Sequence, residues 1–309
     1  MSEKTEKTEP RLSVFKTYKL YVGGKFPRSE SGRVYEVTAK TSAADAAGKG
    51  KWLANAPQSS RKDARDAVVA ARKAFGGWSG ATAYNRGQVL YRVAEMLEGR
   101  REQFVREVAD AEGLSKSKAA AVVDATVDRW VWYAGWTDKI AQVVGGGNPV
   151  AGPFFNLSSP EPTGVVAVLA PQESSFLGLV SVLAPVIATG NTAVVIASEQ
   201  APLPALSLGE VLATSDVPGG VVNILSGRTA EIAAPLAAHQ DVNAIDLAGA
   251  DEVLAKELEI AAADNLKRVL RPQGVDYFEA PGIERMTAFL ETKTVWHPTG
   301  SLGAGGSSY

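Results

Sequence analysis

Between residues 165 and 270 the chain alternates between short apolar runs and amphipathic stretches, and this alternation restricts the fold more than any other feature. GVVAVLA at 164–170 is a run of the kind shown by a strand buried on both faces. Further β runs lie at 192–197, 221–225, 244–247 and 266–270, separated by helical stretches at 177–188, 203–213, 229–238 and 250–263. Five short strands joined by helices predict an α/β fold with a doubly wound, Rossmann-like parallel sheet and helices on both faces.

The preceding half has a different texture. Residues 1–18, opening MSEKTEKTEP, mix acids, bases and hydroxyls without an apolar run; they predict a disordered tail and no signal peptide, with a cytoplasmic protein as the default. Residues 19–151 read as a β meander followed by helices. KLYVGGKFPRSESGRVYEV at 19–37 places β-rich pieces around two glycine turns, and 38–60 has little periodicity and predicts a loop or strap. Helical regions follow at 61–76, 85–110 with a break near Gly99, and 115–139. In the first, Ala64, Ala67, Val68, Ala71 and Phe75 share one face behind Ser60 as N-cap. Gly145, Gly146 and Gly147 end this helical section. A bridging hairpin is expected over 152–164 and the sheet over 165–270. Residues 271–300 supply a loop, a short helix and a lone strand at 293–297, and 301–309 a flexible tail. A terminal strand without a sequential neighbour must pair far back in the chain or with another chain.

Charge and composition remove whole function classes. Thirty-two basic against 34 acidic side chains give a formal charge of −2, without the basic excess expected of a nucleic-acid binder. No apolar run is long enough to span a bilayer, so no membrane partner is expected. There is no cysteine, which excludes disulfides, thiolate metal sites and cysteine nucleophiles within this sequence. With only His239 and His297, and no G-x-S-x-G, neither a metal site nor a serine triad is expected, and both histidines read as surface groups. Trp130, Trp132, Trp136 and Tyr133 read as helix packing. Gly227 and Gly249 each follow a strand and precede a helix. Such a glycine either lets backbone N–H groups approach a phosphate or allows a tight turn, and neither site carries the full three-glycine fingerprint.

In sum order, the sequence blocks resemble the NAD(P)-dependent aldehyde dehydrogenase superfamily. LYVGGKF and SGRVYEV are similar to its meander, and ARDAVVAARKAFGGW and RGQVLYRVAEMLEGRREQF to its first helices. YAGWTDKI and GPFFNLSSPEPTGVVAVLAP are similar to the helix and hairpin that lead into the nucleotide-binding sheet. LAPVIATGNTAVVIASEQAPLPALSLGEVL, DVPGGVVNILSG, DVNAIDLAGA and NLKRVL continue the match, and GIERMTAFLETKTVW resembles the family's oligomerisation strand.

The resemblance also exposes departures. It passes from 265–270 directly to 282–296, where the family places a catalytic domain bearing its nucleophilic cysteine. Pro171–Gln172–Glu173–Ser174–Ser175 replaces the block that supplies the oxyanion-hole asparagine, and Glu173 would repel a developing oxyanion. Ala197 replaces the lysine that grips the adenosine ribose, although Glu199 remains; Leu254 stands at a second glycine position; and Arg271–Pro272–Gln273 displaces the general-base glutamate. The resemblance therefore implies no catalytic residues and weakened NAD(P) binding, with Glu199, Gly227 and Gly249 as vestigial cofactor contacts. It also implies an arm whose interface residues are Phe154, Phe155, Leu157, Thr294, Val295 and Trp296. The expected function is a non-catalytic subunit that forms a hetero-oligomer with a full-length, active aldehyde dehydrogenase. The alternatives are an NAD(H)-binding sensor or an enzyme of unrelated chemistry.

Overall fold

The computed structural model describes residues 12, 14–40 and 50–300. Residues 1–11 and 13 of the expected 1–18 tail, 41–49 of the expected 38–60 loop and all of the 301–309 tail lie outside those residues.

In chain order the elements begin with β1 (Val34–Thr38) and β2 (Trp52–Pro57), which form an antiparallel pair. The strand β2 corrects the expected loop over 38–60: its residues pair with β1, from Val34 opposite Pro57 to Thr38 opposite Trp52. The expected tail is corrected at 14–18 as well. Phe15 packs edge-on against Trp52, and Lys16 donates to Ser207 at 2.8 Å and pairs with Glu210 at 3.0 Å. A cation and an aromatic ring thus fasten a segment that composition alone marks as solvated.

Helices α1 (Arg61–Gly80), α2 (Ala83–Glu98), α3 (Arg101–Glu112), α4 (Lys116–Trp136) and α5 (Ile140–Val144) follow. Their starts reflect local chemistry. Ser60 and Asp63 form a reciprocal capping box, and Thr82 and Ser115 accept from the N–H three residues on. Left-handed Gly113 ends α3. Next come β3 (Gly146–Asn148), β4 (Phe154–Pro162), β5 (Val165–Leu169), α6 (Leu177–Ala188), β6 (Thr192–Ile196), α7 (Leu203–Ala213) and β7 (Val222–Leu225). The chain then continues through α8 (Thr229–Ala237), β8 (Ala244–Asp246), α9 (Glu252–Ala263), β9 (Arg268–Leu270), α10 (Glu284–Thr287) and β10 (Leu290–Pro298). The glycine-rich end of the helical section is therefore also a strand, β3, which the sequence pattern does not announce.

The five-stranded sheet has the order β7-β6-β5-β8-β9, with all four strand pairs parallel. Every residue of β5 and β6 is buried, as expected for strands covered on both faces. Alternate side chains feed two cores. Val165, Ala167 and Leu169 meet α1 and α8 in a core that α9 completes, while Val166 and Val168 meet α6 and, through it, α4. Fully buried, α6 forms the middle of that second stack. Beside β8 this face is covered by the connector 271–289, which brings Met286 and Phe289 into the core.

A separate antiparallel sheet, β10-β4-β3, forms the arm. The lone terminal strand thus finds its partner far back in the chain, from Leu290 opposite Pro162 to Pro298 opposite Phe154. Asn191 ties arm to body: its Nδ2 donates to the Phe289 carbonyl at 2.9 Å, and its Oδ1 accepts from the Gly164 N–H at 2.8 Å. Arg268 on β9 also holds Glu291 on β10 through two hydrogen bonds of 2.7 and 2.8 Å.

Candidate functional site

In a doubly wound sheet, ligands bind beyond the carboxyl ends of the strands, where the strand order reverses. Here that place is the crevice above Ala170 and Leu247, between β5 and β8, flanked by the turn after β6.

Glu199 lies in that turn, and the chain's own groups engage both its carboxylate oxygens. Arg228 Nη1 donates to Oε1 at 2.5 Å, and the Thr229 N–H, at the start of α8, donates to Oε2 at 3.0 Å. Gln172 Oε1 accepts the Glu199 N–H at 2.9 Å and fixes the backbone beneath it. Glu199 and Arg228 line a cleft of about 490 Å³, with Tyr35, Thr38 and Lys40 opposite. Gly227 (φ +140°) has the backbone of Ser59 at 3.1 Å from the position of a Cβ, so a close approach by the β2–α1 junction accounts for this glycine.

The turn after β8 settles the second glycine in the same way. A Cβ on Gly249 would lie 1.9 Å from the Ala170 carbonyl oxygen, so only glycine lets this turn pass over the end of β5. The turn's N–H groups are all used internally. Ala248 donates to Asp246 Oδ1 at 3.0 Å, Gly249 to the Leu169 carbonyl at 2.9 Å and Ala250 to the Leu247 carbonyl at 2.9 Å. Beyond them Asp251 caps α9 and Glu252 sits in its first turn, so two carboxylates occupy the end of a helix where a phosphate would be favoured.

The resemblance implies a dinucleotide here, and these residues do not fit one. The diol acceptor is already paired, the N–H groups of the turn at 248–250 are engaged, and like charges stand at the helix start. Thus Glu199, Gly227 and Gly249 stand at the turns expected, with Glu199 bonded internally and both glycines accounted for by backbone approach.

Sequence reasoning missed the most buried charges of the site. Asp246, fully buried, accepts from Arg285 Nη1 of α10 at 2.6 Å. Burial pushes its carboxyl up to about 6, against the opposing pull of Arg285. Arg129 of α4 donates to the carbonyls of Tyr277 and Glu279 at 2.6 and 3.0 Å, so two arginines hold the connector down. A lone acid inside the apolar run AIDL was the signal available for Asp246; its partner lies 39 positions away.

At the start of α6, Glu173 is exposed and forms an ion pair with Lys40. Glu112 accepts the Ser175 N–H and hydroxyl, both at 2.8 Å, and so takes the capping role there. The His239 Nδ1 accepts from Asp241, and His297 is an exposed residue of β10. No group of three or more His, Cys, Asp or Glu able to hold a metal occurs among the described residues. Nor is any helix among them long and apolar enough to cross a membrane.

Register divides the six expected interface residues between the two faces of the arm. Phe155 and Leu157 share a face with Val295 and His297; Phe154 lies on the other with Thr294 and Trp296, its ring 5.7 Å from that of Trp296. The second face carries a polar chain, in which Asn148 donates to Asn156 at 2.5 Å and Ser158 at 2.7 Å, and the Ser158 and Thr294 hydroxyls lie 2.9 Å apart. Val295 is half-buried, and the other five expected residues are exposed.

Comparisons agree with this architecture. The model of the aldehyde dehydrogenase family matches residues 36–275. Retinal dehydrogenase 2 of Gallus gallus is 34% identical over 269 residues, 84% of this chain and 49% of the relative. Cytosolic 10-formyltetrahydrofolate dehydrogenase of Mus musculus is 31% identical over 271 residues, 85% of this chain and 29% of the relative. An aldehyde dehydrogenase of Bacillus cereus, solved as its NAD+ complex, superposes with a TM-score of 0.76 at 28% identity, over 82% of this chain and 50% of that one. The chain therefore spans about half the length, or less, of these relatives.

Proposed function

The chain belongs to the aldehyde dehydrogenase family, and from that premise we propose that it is a non-catalytic subunit that assembles with a full-length, active aldehyde dehydrogenase as a structural or regulatory partner. One observation carries this reading. The chain passes from β9 to β10 through a short connector fastened to its own body, yet the arm is complete and presents Phe154, Phe155, Leu157 and Trp296 to solvent. Exposed aromatics and an unpaired β10 edge are costly in water and favour a second chain.

The chemistry of the chain supports the same reading. The mechanism implied by the resemblance begins with thiolate attack on an aldehyde, and the sequence holds no cysteine. Glu173 supplies negative charge where the resemblance expects an oxyanion donor. An NAD(H) sensor is the second reading; likeness to a family member solved with NAD+ favours it.

Co-expression with a full-length aldehyde dehydrogenase from the same cell, followed by size-exclusion chromatography, tests the proposal. The expected result is one complex of defined stoichiometry, with no aldehyde-dependent NADH production by the chain alone. A stable monomer that ignores full-length family members would overturn it.

A further inference from the structure

We infer that Arg228 is an internal ligand of Glu199, a guanidinium that stands where a ribose diol would bind and closes the adenosine half of the crevice. The inference is independent of the assembly reading and bears on the sensor alternative.

The geometry is specific. Arg228 occupies the N-cap position of α8, where its own side chain makes no capping hydrogen bond. Glu199 performs that task through the Thr229 N–H, and Arg228 folds back onto the same carboxylate. The guanidinium is 60% exposed, so core packing does not dictate its position. Its hydrogen bond among the described residues is the one to Glu199. Position 197, where the resemblance expects a ribose-gripping lysine, is a buried alanine. The cation is therefore at 228 and aimed at the carboxylate.

The competition follows from charge. An acidic side chain recognises a ribose by accepting from its hydroxyls. Both bonds are charge-assisted at the carboxylate, but the guanidinium also carries a full positive charge, so its pair with Glu199 gains a Coulomb attraction that a neutral diol lacks. The internal donor is also tethered, so a free diol must displace it at the cost of its own immobilisation. Loss of Arg228 leaves Glu199 in place, with its backbone held by Gln172 and one oxygen on α8, and uncovers the other oxygen.

Ligand-observed NMR with adenosine and 2′-deoxyadenosine, and calorimetry with NAD+ and NADP+, test this on the full chain. The variants are Arg228→Ala, Arg228→Gln and Arg228→Ala combined with Glu199→Gln. The wild-type chain is expected to bind none of the four ligands in the micromolar range. Both single variants should bind adenosine about threefold to fivefold more tightly than wild type, the fold-change that removing a partly exposed ion pair releases. They should discriminate against the deoxynucleoside, and the double variant should lose the gain.

Micromolar binding of NAD+ by the wild-type chain would overturn the inference, as would single variants that bind adenosine no better than wild type. Binding of NADP+ by wild type that disappears in Arg228→Ala would also overturn it, making Arg228 a phosphate contact. None of these outcomes alters whether the chain co-purifies with a full-length partner, so the two readings fail separately.

Discussion

At the scale of single residues, the crevice shows how closely similar side chains can differ in what they do. Gly249 is fixed by a backbone oxygen that cannot move aside. Gly249→Ala is therefore expected to cost about 3 kcal/mol in urea unfolding, the upper range of overpacking effects. Gly274→Ala, where a Cβ meets no atom within 4 Å, should stay within about 0.5 kcal/mol of wild type. Asp246 and Arg285 make a sharper case, because their contribution depends on pH. Burial raises the folded-state carboxyl to about 6, above the ordinary carboxylate value. The stability this group contributes is thus fully present below its unfolded pKa of about 4 and is lost as pH rises through 6. Arg285 favours the ionised form and limits that loss. Arg285→Met should destabilise the chain by about 3 kcal/mol at pH 8, where the buried carboxylate is left without its cation. At pH 5, where the carboxyl is protonated in both proteins, the effect should fall below half of that. Chemical denaturation at the two pH values checks the sign: a cost that grows toward acid pH contradicts it.

At the scale of elements, the connector is the segment whose behaviour is least like that of a loop. Two of its carbonyls are held by a buried guanidinium, and its far end carries Met286 and Phe289 into the core. Arg129→Met removes both hydrogen bonds without opening space for water beside α4. It should raise the rate of proteolytic cleavage within 271–282 by about tenfold or more while α6 and α7 remain intact, since local opening follows the contacts that close it. Equal cleavage of wild type and variant would place the restraint elsewhere. The same element marks the limit of sequence reading. Strands and helices from 165 to 270 were legible because each is covered by neighbours and shows its period or its unbroken apolar run. Strand β2, WLANAP, mixes polar and apolar residues without strict alternation, and β1 decides its state. Strand β3 is two glycines and an asparagine, which have no β preference of their own and are held by β4. In the site, Glu199 and the two glycines could be located from their place after strands. That Arg228 covers Glu199, or that Arg285 meets Asp246, depends on residues 29 and 39 positions apart and on the fold between them.

At the scale of the whole molecule, the body and the arm differ in how completely they satisfy themselves. The body buries both faces of its sheet and covers its exposed flank with the connector. The arm is three strands thick, too few to enclose a core, and its two faces differ in chemistry: one adds a polar chain to Phe154 and Trp296, and the other places Phe155, Leu157 and Val295 together. The face with Phe155, Leu157 and Val295 is the one a partner should cover, because burying these three removes hydrocarbon from water, while His297 and the Lys293–Glu161 pair lie at its two ends. Without a partner, copies of the chain should use that face against one another. The combined change Phe155→Asp and Leu157→Asp puts two like charges on that face at exposed positions, so it should shift the melting temperature by only about 2 °C. It should nevertheless abolish concentration-dependent self-association in sedimentation velocity and the complex with a full-length dehydrogenase. Thr294→Ala, on the opposite face, should leave both unchanged. If the aspartate pair associates as wild type does, the surface that meets other chains lies away from this face of the arm.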